Sequence, residues 1–483
     1  MKIGERHLTL LCDFYEMTMG RGYYHSGIRD QIAYFDVFYR SNPDKGGFAI
    51  AAGLEQIIEY VKDLSFDDED IAYLRQKGAF DEEFLRYMKS FRFTGDIWAV
   101  PEGTVIFPGE PIITVRAPAI EAQFIETFLL LMINHQALIA TKANRIARAA
   151  QGRPVSEFGS RRAQGADAAI YGARAAYIGG CSGTACAIAD KEFGVPAGGT
   201  MAHAWVQMFD SELEAFKMYC VLYPNNPTLL IDTYNVLESG VPNAIRAFKE
   251  VLEPMGKTKC AVRLDSGDIT YLSKKIRVML DEAGLYDCKI TVSNSLDEYI
   301  IRDLLMQGAQ VDAFGVGERL ITAKSDPVFG GVYKLTAVEK NGEIIPKIKI
   351  SENAAKITNP HFKKVYRLYS RETGKAEADL ITLHDEVVDD TKPYELFDPQ
   401  HTWKRKTLTN FVAKPLLVPI FKDGKCVYDC PPVEEIRRHC QEDIATMWDE
   451  VLRFENPHNY YVDLSEKLWN LKDSMLKSKG RKQ

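Results

Sequence analysis

Between Ile97 and Ala117 apolar and polar residues alternate between Pro and Gly punctuation, IWAVPEGTVIFPGEPIITVRA. That is the period of short antiparallel strands joined by turns. From Ala122 to Ala150 the period changes, and FIETFLLLMINHQALIATKANRIARAA sets apolar residues at helical spacing with no Pro or Gly to interrupt them. This predicts a long, largely buried helix. Beyond Gln151 strand and helix patterns alternate. Strand-like PVSEFGS is followed by a helix through Ala176, by PAGGTMAH after another helix, and then by TLLIDTY, CAVRLDSGD, KITVSNS and VDAFGVG. Helical stretches PNAIRAFKEVL, SKKIRVMLDEAG and LDEYIIRDLLMQG separate the later strands.

Such alternation favours a parallel sheet, and many units with apolar strand bodies and polar strand ends favour a barrel over an open sheet. The expected fold is therefore α/β, an irregular parallel α/β barrel of TIM-like type with a mostly β or α+β side domain built from N- and C-terminal segments. The expected divisions are residues 1–120 for the side domain, 121–340 for the barrel, and 341–483 for a segment that returns to the side domain or forms a third lobe. After Leu335 the pattern breaks into charged, hairpin-like pieces, and in PLLVPIFKDGKCVYDCPP the pair Asp423 and Gly424 marks a hairpin turn. The basic ending KLWNLKDSMLKSKGRKQ reads as a solvated helix end.

At 483 residues the chain exceeds one ordinary core. A formal net charge of -7 leaves no global attraction toward nucleic acid or an anionic membrane, so any phosphate ligand must be held by local positive groups. The start, MKIGERHLTLLCDFYEM, lacks the layout of a secretory signal, and no run of about 18 apolar residues is evident. A soluble cytoplasmic protein is expected. Nine cysteines are spread thinly, and neither Cys181 with Cys186 nor Cys426 with Cys430 has a second pair at structural zinc spacing. Neither a GxxxxGK[ST] loop nor HExxH occurs, so ATP, if used, is not held by a P-loop.

The densest chemistry lies between Glu157 and His203, where a double arginine, several glycine turns and one histidine share a segment. Guanidinium groups grip phosphate or carboxylate, glycines let backbone N–H groups approach an anion, and a histidine can relay a proton or a phosphoryl group. A barrel would gather Arg161, His203, Asp232, Arg263, Asp265, Ser293 and Gly315 at one mouth, each at or just after an expected strand. Arg161 and Arg162 are adjacent, so on a strand they face opposite sides and only Arg161 need reach a ligand. Asp232 is a candidate to orient His203, with a turn or cap as the competing role. VRLDSGD crowds Arg263, Asp265, Ser266 and Asp268 at the end of an apolar strand, a density that calls for a ligand. Asp265 suits ribose hydroxyls, directly or through Mg²⁺, and Asp268 either joins it or caps the next helix. Gly315 and Gly317 can offer bare amides to a 5′-phosphate.

The motifs FGSRR, GGTMAHAW, LIDTYN, VRLDSGD, FGVGERL and GGVYKL occur in that order, and over roughly residues 6 to 430 the chain resembles the nicotinate phosphoribosyltransferases. The resemblance implies an enzyme of NAD salvage that makes nicotinate mononucleotide and pyrophosphate from nicotinate and 5-phosphoribosyl 1-pyrophosphate. It further implies Mg²⁺, ATP as co-substrate, and His203 as a phosphohistidine. By the same resemblance Arg263 meets the nicotinate carboxylate and Phe158 stacks on one face of its ring. Tyr15 covers the other face from a second subunit, in a homodimer with composite sites. Nicotinamide enzymes of the superfamily carry an acid after a Gly-Thr pair, where this chain has Ala185, and an acid there would repel a carboxylate. Nicotinamide phosphoribosyltransferase and a non-catalytic pyridine-nucleotide-binding dimer are the alternatives. A sugar-phosphate aldolase or isomerase would need a strand-end lysine or acid in a place where none is legible.

Overall fold

The computed structural model describes residues 6–352 and 356–480. The first five residues and the last three of the basic ending lie outside the described residues. The chain forms two compact units, one from residues up to 138, 328–431 and 438 onward, the other from residues 139–327 and 432–437.

In the first unit, strands Ile32–Tyr39, Asp96–Ala99 and Ile113–Pro118 pair antiparallel within a seven-stranded sheet that also takes Gly331–Lys340, Glu343–Pro346, Val418–Lys422 and Lys425–Cys426. The strands read between Ile97 and Ala117 are therefore present. The Asp423-Gly424 turn is present too, both residues having positive φ (48° and 72°), as a two-residue hairpin turn requires. A second, four-stranded sheet orders Phe411–Pro415, Lys363–Ser370, Ala376–Leu383 and Val462–Leu464, the last pairing parallel. Arg367 stitches this unit together: its fully buried guanidinium donates twice to Asp379, at 2.8 Å each, and once to Asp443 at 3.0 Å.

The long apolar segment forms helices Ala119–Phe124 and Glu126–Ala149. By length and composition residues 119–149 could cross a membrane, and 67% of the most apolar window is buried inside the protein. Burial against protein is sufficient reason for its hydrophobicity.

In the second unit six parallel strands form one sheet, in the order Gly183–Thr184, Val155–Glu157, Ala313–Val316, Lys289–Ser293, Ala261–Leu264, Thr228–Leu230. Val155, Val262, Leu264, Ile290, Val292, Phe314 and Val316 are each at most 1% exposed, as expected of parallel strands covered on both faces. Helices Ile269–Glu282 and Glu298–Met306 follow two of these strands, and Ile276, Leu280 and Ile301 are fully buried. The α/β class with a parallel sheet is thus present. Among the described residues no ladder joins the two edge strands, Gly183–Thr184 and Thr228–Leu230, so the hydrogen bonding describes a sheet rather than a closed ring. PAGGTMAH is not a strand either; it contributes a single bridge, Thr184 to Ala197, because its glycines and Ala202 lead straight into a short helix, His203–Gln207.

Candidate active site

Parallel strands run in one direction, so their C-terminal residues share one edge of the sheet. Arg263 and Ser293 sit at this edge on neighbouring strands. The Arg263 Nε donates to Ser293 Oγ at 3.0 Å, and Ser293 Oγ donates in turn to Asp265 Oδ1 at 2.6 Å. Arg263 Nη1 donates to Thr200 Oγ1 at 2.7 Å and to the Met201 carbonyl at 3.2 Å. The remaining Nη2 lies 3.7 Å from Asp265 Oδ2. The guanidinium is therefore clamped on two edges, with side chain only 14% exposed, and its Nη2 makes no hydrogen bond among the described residues. Fixing a guanidinium this way removes the rotamer freedom that a ligand would otherwise have to freeze.

Asp232 follows the strand Thr228–Leu230. Its Oδ2 accepts from the Asp265 backbone N at 3.0 Å and from Ser266 Oγ at 2.6 Å, which shapes the turn that carries Asp265. Asp232 does not orient His203 as expected; its carboxylate is spent on the neighbouring strand end. His203 Nδ1 instead meets Thr233 Oγ1 at 3.2 Å, and its Nε2 lies 4.0 Å from Asp265 Oδ2, beyond hydrogen-bond reach. His203 opens the short helix rather than projecting from a strand, and its side chain is 41% exposed. Asp232 Oδ1 is buried and has no hydrogen-bond partner among the described residues. An orphaned buried carboxylate oxygen is costly unless a ligand or cation completes it.

Phe158 follows Glu157 out of the strand, and the Arg263 guanidinium carbon lies 5.9 Å from its ring centre. A Cβ added at Gly315 would stand 2.5 Å from two atoms of that ring, so glycine here is what lets the ring lie flat against the backbone. Beneath it Glu157 is fully buried, accepting from the Thr184 hydroxyl at 2.6 Å and from Gly159 N, while Ala185 N donates to its carbonyl at 2.8 Å. Burial raises the Glu157 carboxyl above its ordinary range. Immediately after Ser293, Asn294 and Ser295 both take positive φ, 120° and 38°, and two consecutive non-glycine residues in that region mark a turn held by its surroundings.

Other expected site residues stand differently. Ser160–Arg162 is a 3₁₀ turn, not a strand, and both Arg161 and Arg162 are exposed, so the two-faced strand argument fails. Asp268 caps helix Ile269–Glu282, accepting from Tyr271 N at 2.9 Å. Gly317 precedes the four-residue helix Glu318–Ile321. Tyr15 lies in the first unit on helix Phe14–His25, 43% exposed. The residues that the sequence did not single out are Thr200, Thr233, Thr184 and Glu157. All four lie inside or beside the quoted motifs, and the hydroxyls within them and the acid preceding FGSRR were the signal available.

Three family models match the chain: nicotinate phosphoribosyltransferase N-terminal domain over residues 10–134, the nicotinate phosphoribosyltransferase family over 154–372, and the C-terminal domain over 362–472. The nicotinate phosphoribosyltransferase of Bacillus subtilis is 44% identical over 465 residues, covering 96% of this chain and 94% of that protein. The chain belongs to the nicotinate phosphoribosyltransferase family. The Caenorhabditis elegans nicotinate phosphoribosyltransferase is 33% identical, covering 95% of this chain and 92% of that protein. Human nicotinic acid phosphoribosyltransferase superposes with a TM-score of 0.83 at 28% identity, covering 96% of this chain and all of that one. Nicotinate-nucleotide pyrophosphorylase from Pyrococcus furiosus gives 0.70 at 26% identity, covering 92% and 99%. The chain is accordingly an enzyme of NAD biosynthesis with nicotinate phosphoribosyltransferase activity, and nicotinate and 5-phosphoribosyl 1-pyrophosphate are its substrates.

Proposed function

We propose that the sheet edge of the second unit is where nicotinate and 5-phosphoribosyl 1-pyrophosphate react, and that ATP drives the reaction through phosphorylation of His203. The observation that carries this reading is the pairing of a clamped Arg263 over Phe158 with a His203 whose Nε2 has no hydrogen bond among the described residues while its Nδ1 is held by Thr233. A nucleophilic imidazole needs one nitrogen free and the other fixed.

In this reading Arg263 Nη2 receives the nicotinate carboxylate and Phe158 takes one ring face. The pyridine nitrogen attacks ribose C1 as the bond from C1 to pyrophosphate breaks. That nitrogen carries no proton, so the reaction calls for positioning and leaving-group stabilisation, and His203 is left for the phosphoryl transfer from ATP. Asp265 holds ribose hydroxyls, Gly315 and Gly317 offer amides to the 5′-phosphate, and exposed Arg161 closes on pyrophosphate. Mg²⁺ fits the donor set, since Asp232 Oδ1 is an orphaned buried oxygen and Asp265 Oδ2 accepts no hydrogen bond among the described residues, Arg263 standing 3.7 Å away; hard oxygen ligands suit it, and Asp268 stands close in sequence. When bound, Mg²⁺ would neutralise pyrophosphate charge. Phosphorylated His203 would place anionic charge beside Asp265 and strengthen that ion's hold.

Tyr15 of the partner subunit supplies the second ring face in a homodimer, the six parallel strands form the wall of an irregular TIM-like barrel, and the protein is cytoplasmic; the family resemblance supports these three statements. The test is nicotinate mononucleotide formation from nicotinate and 5-phosphoribosyl 1-pyrophosphate with Mg²⁺, with and without ATP, beside a nicotinamide reaction. ATP-stimulated product from nicotinate alone supports the reading. His203→Ala enzyme that keeps full ATP stimulation would sink the phosphohistidine.

A further inference from the structure

In the first unit a cavity of about 410 Å³ opens between the strand Ile32–Tyr39 and the C-terminal helix Glu466–Gly480. Its charges do not balance. Lys363, buried to 1% exposure, is neutralised by Asp36 at 2.8 Å, and Asp36 is further occupied by the Thr114 hydroxyl at 2.8 Å. Asp473 pairs with Lys477 at 2.5 Å. That leaves two cations on the wall without a carboxylate among the described residues. Lys472 donates to the neutral Asn359 Oδ1 at 2.8 Å, and Arg40 is exposed with no hydrogen bond or ion pair. Burial and the Lys363 ammonium lower Lys472 to about 8, a sign that its charge lacks compensation. Trp469 lines the same cavity, and its indole N–H is already engaged by the carbonyl of Pro399, another wall residue, at 3.2 Å, which leaves the ring itself for a ligand.

A volume within the usual range of small-molecule pockets, two uncompensated cations and one flat aromatic wall describe a receptor for an anion with a planar body. We propose that this cavity binds a small heteroaromatic monophosphate, its phosphate at Lys472 and Arg40 and its ring against Trp469. The lining residues all belong to the first unit, and the proposal does not depend on the mechanism assigned to the second.

The experiment is calorimetric titration of the full-length protein with adenosine monophosphate, with adenosine and inorganic phosphate as the two halves of the probe. The expected result is saturable binding of the nucleotide that Lys472→Met weakens about tenfold, the factor for losing one charge-assisted hydrogen bond. Arg40→Gln, at an exposed position where folding is not at stake, should weaken it too, and Lys472→Arg should restore it. Arg263→Met, in the sheet-edge site, should leave this isotherm in place, which separates its failure from that of the proposed function. Competition by inorganic phosphate supports the anion end. Adenosine binding as tightly as the nucleotide, an isotherm unchanged by both Lys472→Met and Arg40→Gln, or no saturation by about 10 mM nucleotide overturns the proposal.

Discussion

Replacing Ser293 by alanine tests whether the Arg263 clamp is what positions nicotinate. The hydroxyl is 5% exposed and links two charged groups, accepting from Arg263 Nε at 3.0 Å and donating to Asp265 Oδ1 at 2.6 Å. Hydrogen bonds to charged groups are each worth about 1.5–3 kcal/mol, and the two lost here are coupled rather than additive. Water can partly replace the Asp265 partner, because that side chain is 29% exposed, but less so the Arg263 partner at 14%. A net loss of about 2 kcal/mol is therefore reasonable, and if it falls on the bound state kcat/KM for nicotinate drops about 30-fold. Thr200 and the Met201 carbonyl still hold the other edge of the guanidinium, so Arg263 is loosened and not released. The assay is steady-state kinetics with each substrate varied in turn while the other saturates, beside a thermal melt to show that folding is intact. A fall of less than about threefold for nicotinate, or a defect that appears only when the phosphoribosyl donor is the varied substrate, would refute the reasoning.

Gly315→Ala should impair nicotinate binding more than overall stability, since the new Cβ would stand 2.5 Å from the Phe158 ring and push it off the sheet edge; a KM for nicotinate equal to wild type counts against the stacking role. Arg367→Met leaves Asp379 and Asp443 buried without their cation and should cost about 3–5 kcal/mol, read from denaturant unfolding of the purified protein. Glu16 is pushed up to about 8 chiefly by burial, and its Oε2 has no hydrogen-bond partner among the described residues. A carboxyl with a raised folded-state pKa contributes stability that is complete below its unfolded value and lost as pH rises toward 8. Glu16→Gln, able to keep accepting from the Thr127 hydroxyl at 2.6 Å, should therefore raise the melting temperature at pH 8 and not at pH 4; an equal effect at both would be a packing change instead.

The elements that could be read from sequence are those whose period is long or whose ends are punctuated. The helix over residues 126–149 has no Pro or Gly, the strands Ala261–Leu264, Lys289–Ser293 and Ala313–Val316 have apolar bodies and lead into polar or glycine-rich turns, and Asp423-Gly424 supplies two positive φ values. Two segments misled. Ser160–Arg162 and PAGGTMAH carry polar residues that suit a strand end, yet the backbone there turns too tightly to continue a ladder. Partner choice was the harder matter. Asp232 lies in sequence where it could serve His203, but strand order puts Thr228–Leu230 beside Ala261–Leu264, and Asp232 is taken by the Asp265 turn. No local pattern encodes which neighbour wins such a competition, because it depends on sheet order and on a register between strands distant in sequence.

The same register bears on why a carboxylate is accepted. Val155–Glu157 lies between Gly183–Thr184 and Ala313–Val316, so the buried Glu157 touches Thr184 directly and stands behind Ala185. Burial raises the Glu157 carboxyl above its ordinary range, while the Thr184 hydroxyl and Gly159 N–H both donate to it. Ala185 adds no charge of its own, and the cation on the sheet edge is Arg263, with one nitrogen still open. If Arg263 meets the carboxylate as proposed, an amide in its place would lose that charge pair without gaining an acceptor at residue 185. Ala185→Asp should therefore shift preference away from nicotinate, by raising its KM more than that of nicotinamide. Equal effects on both substrates would mean that residue 185 does not face the ring substituent, and the discrimination would have to be sought in Arg263 alone.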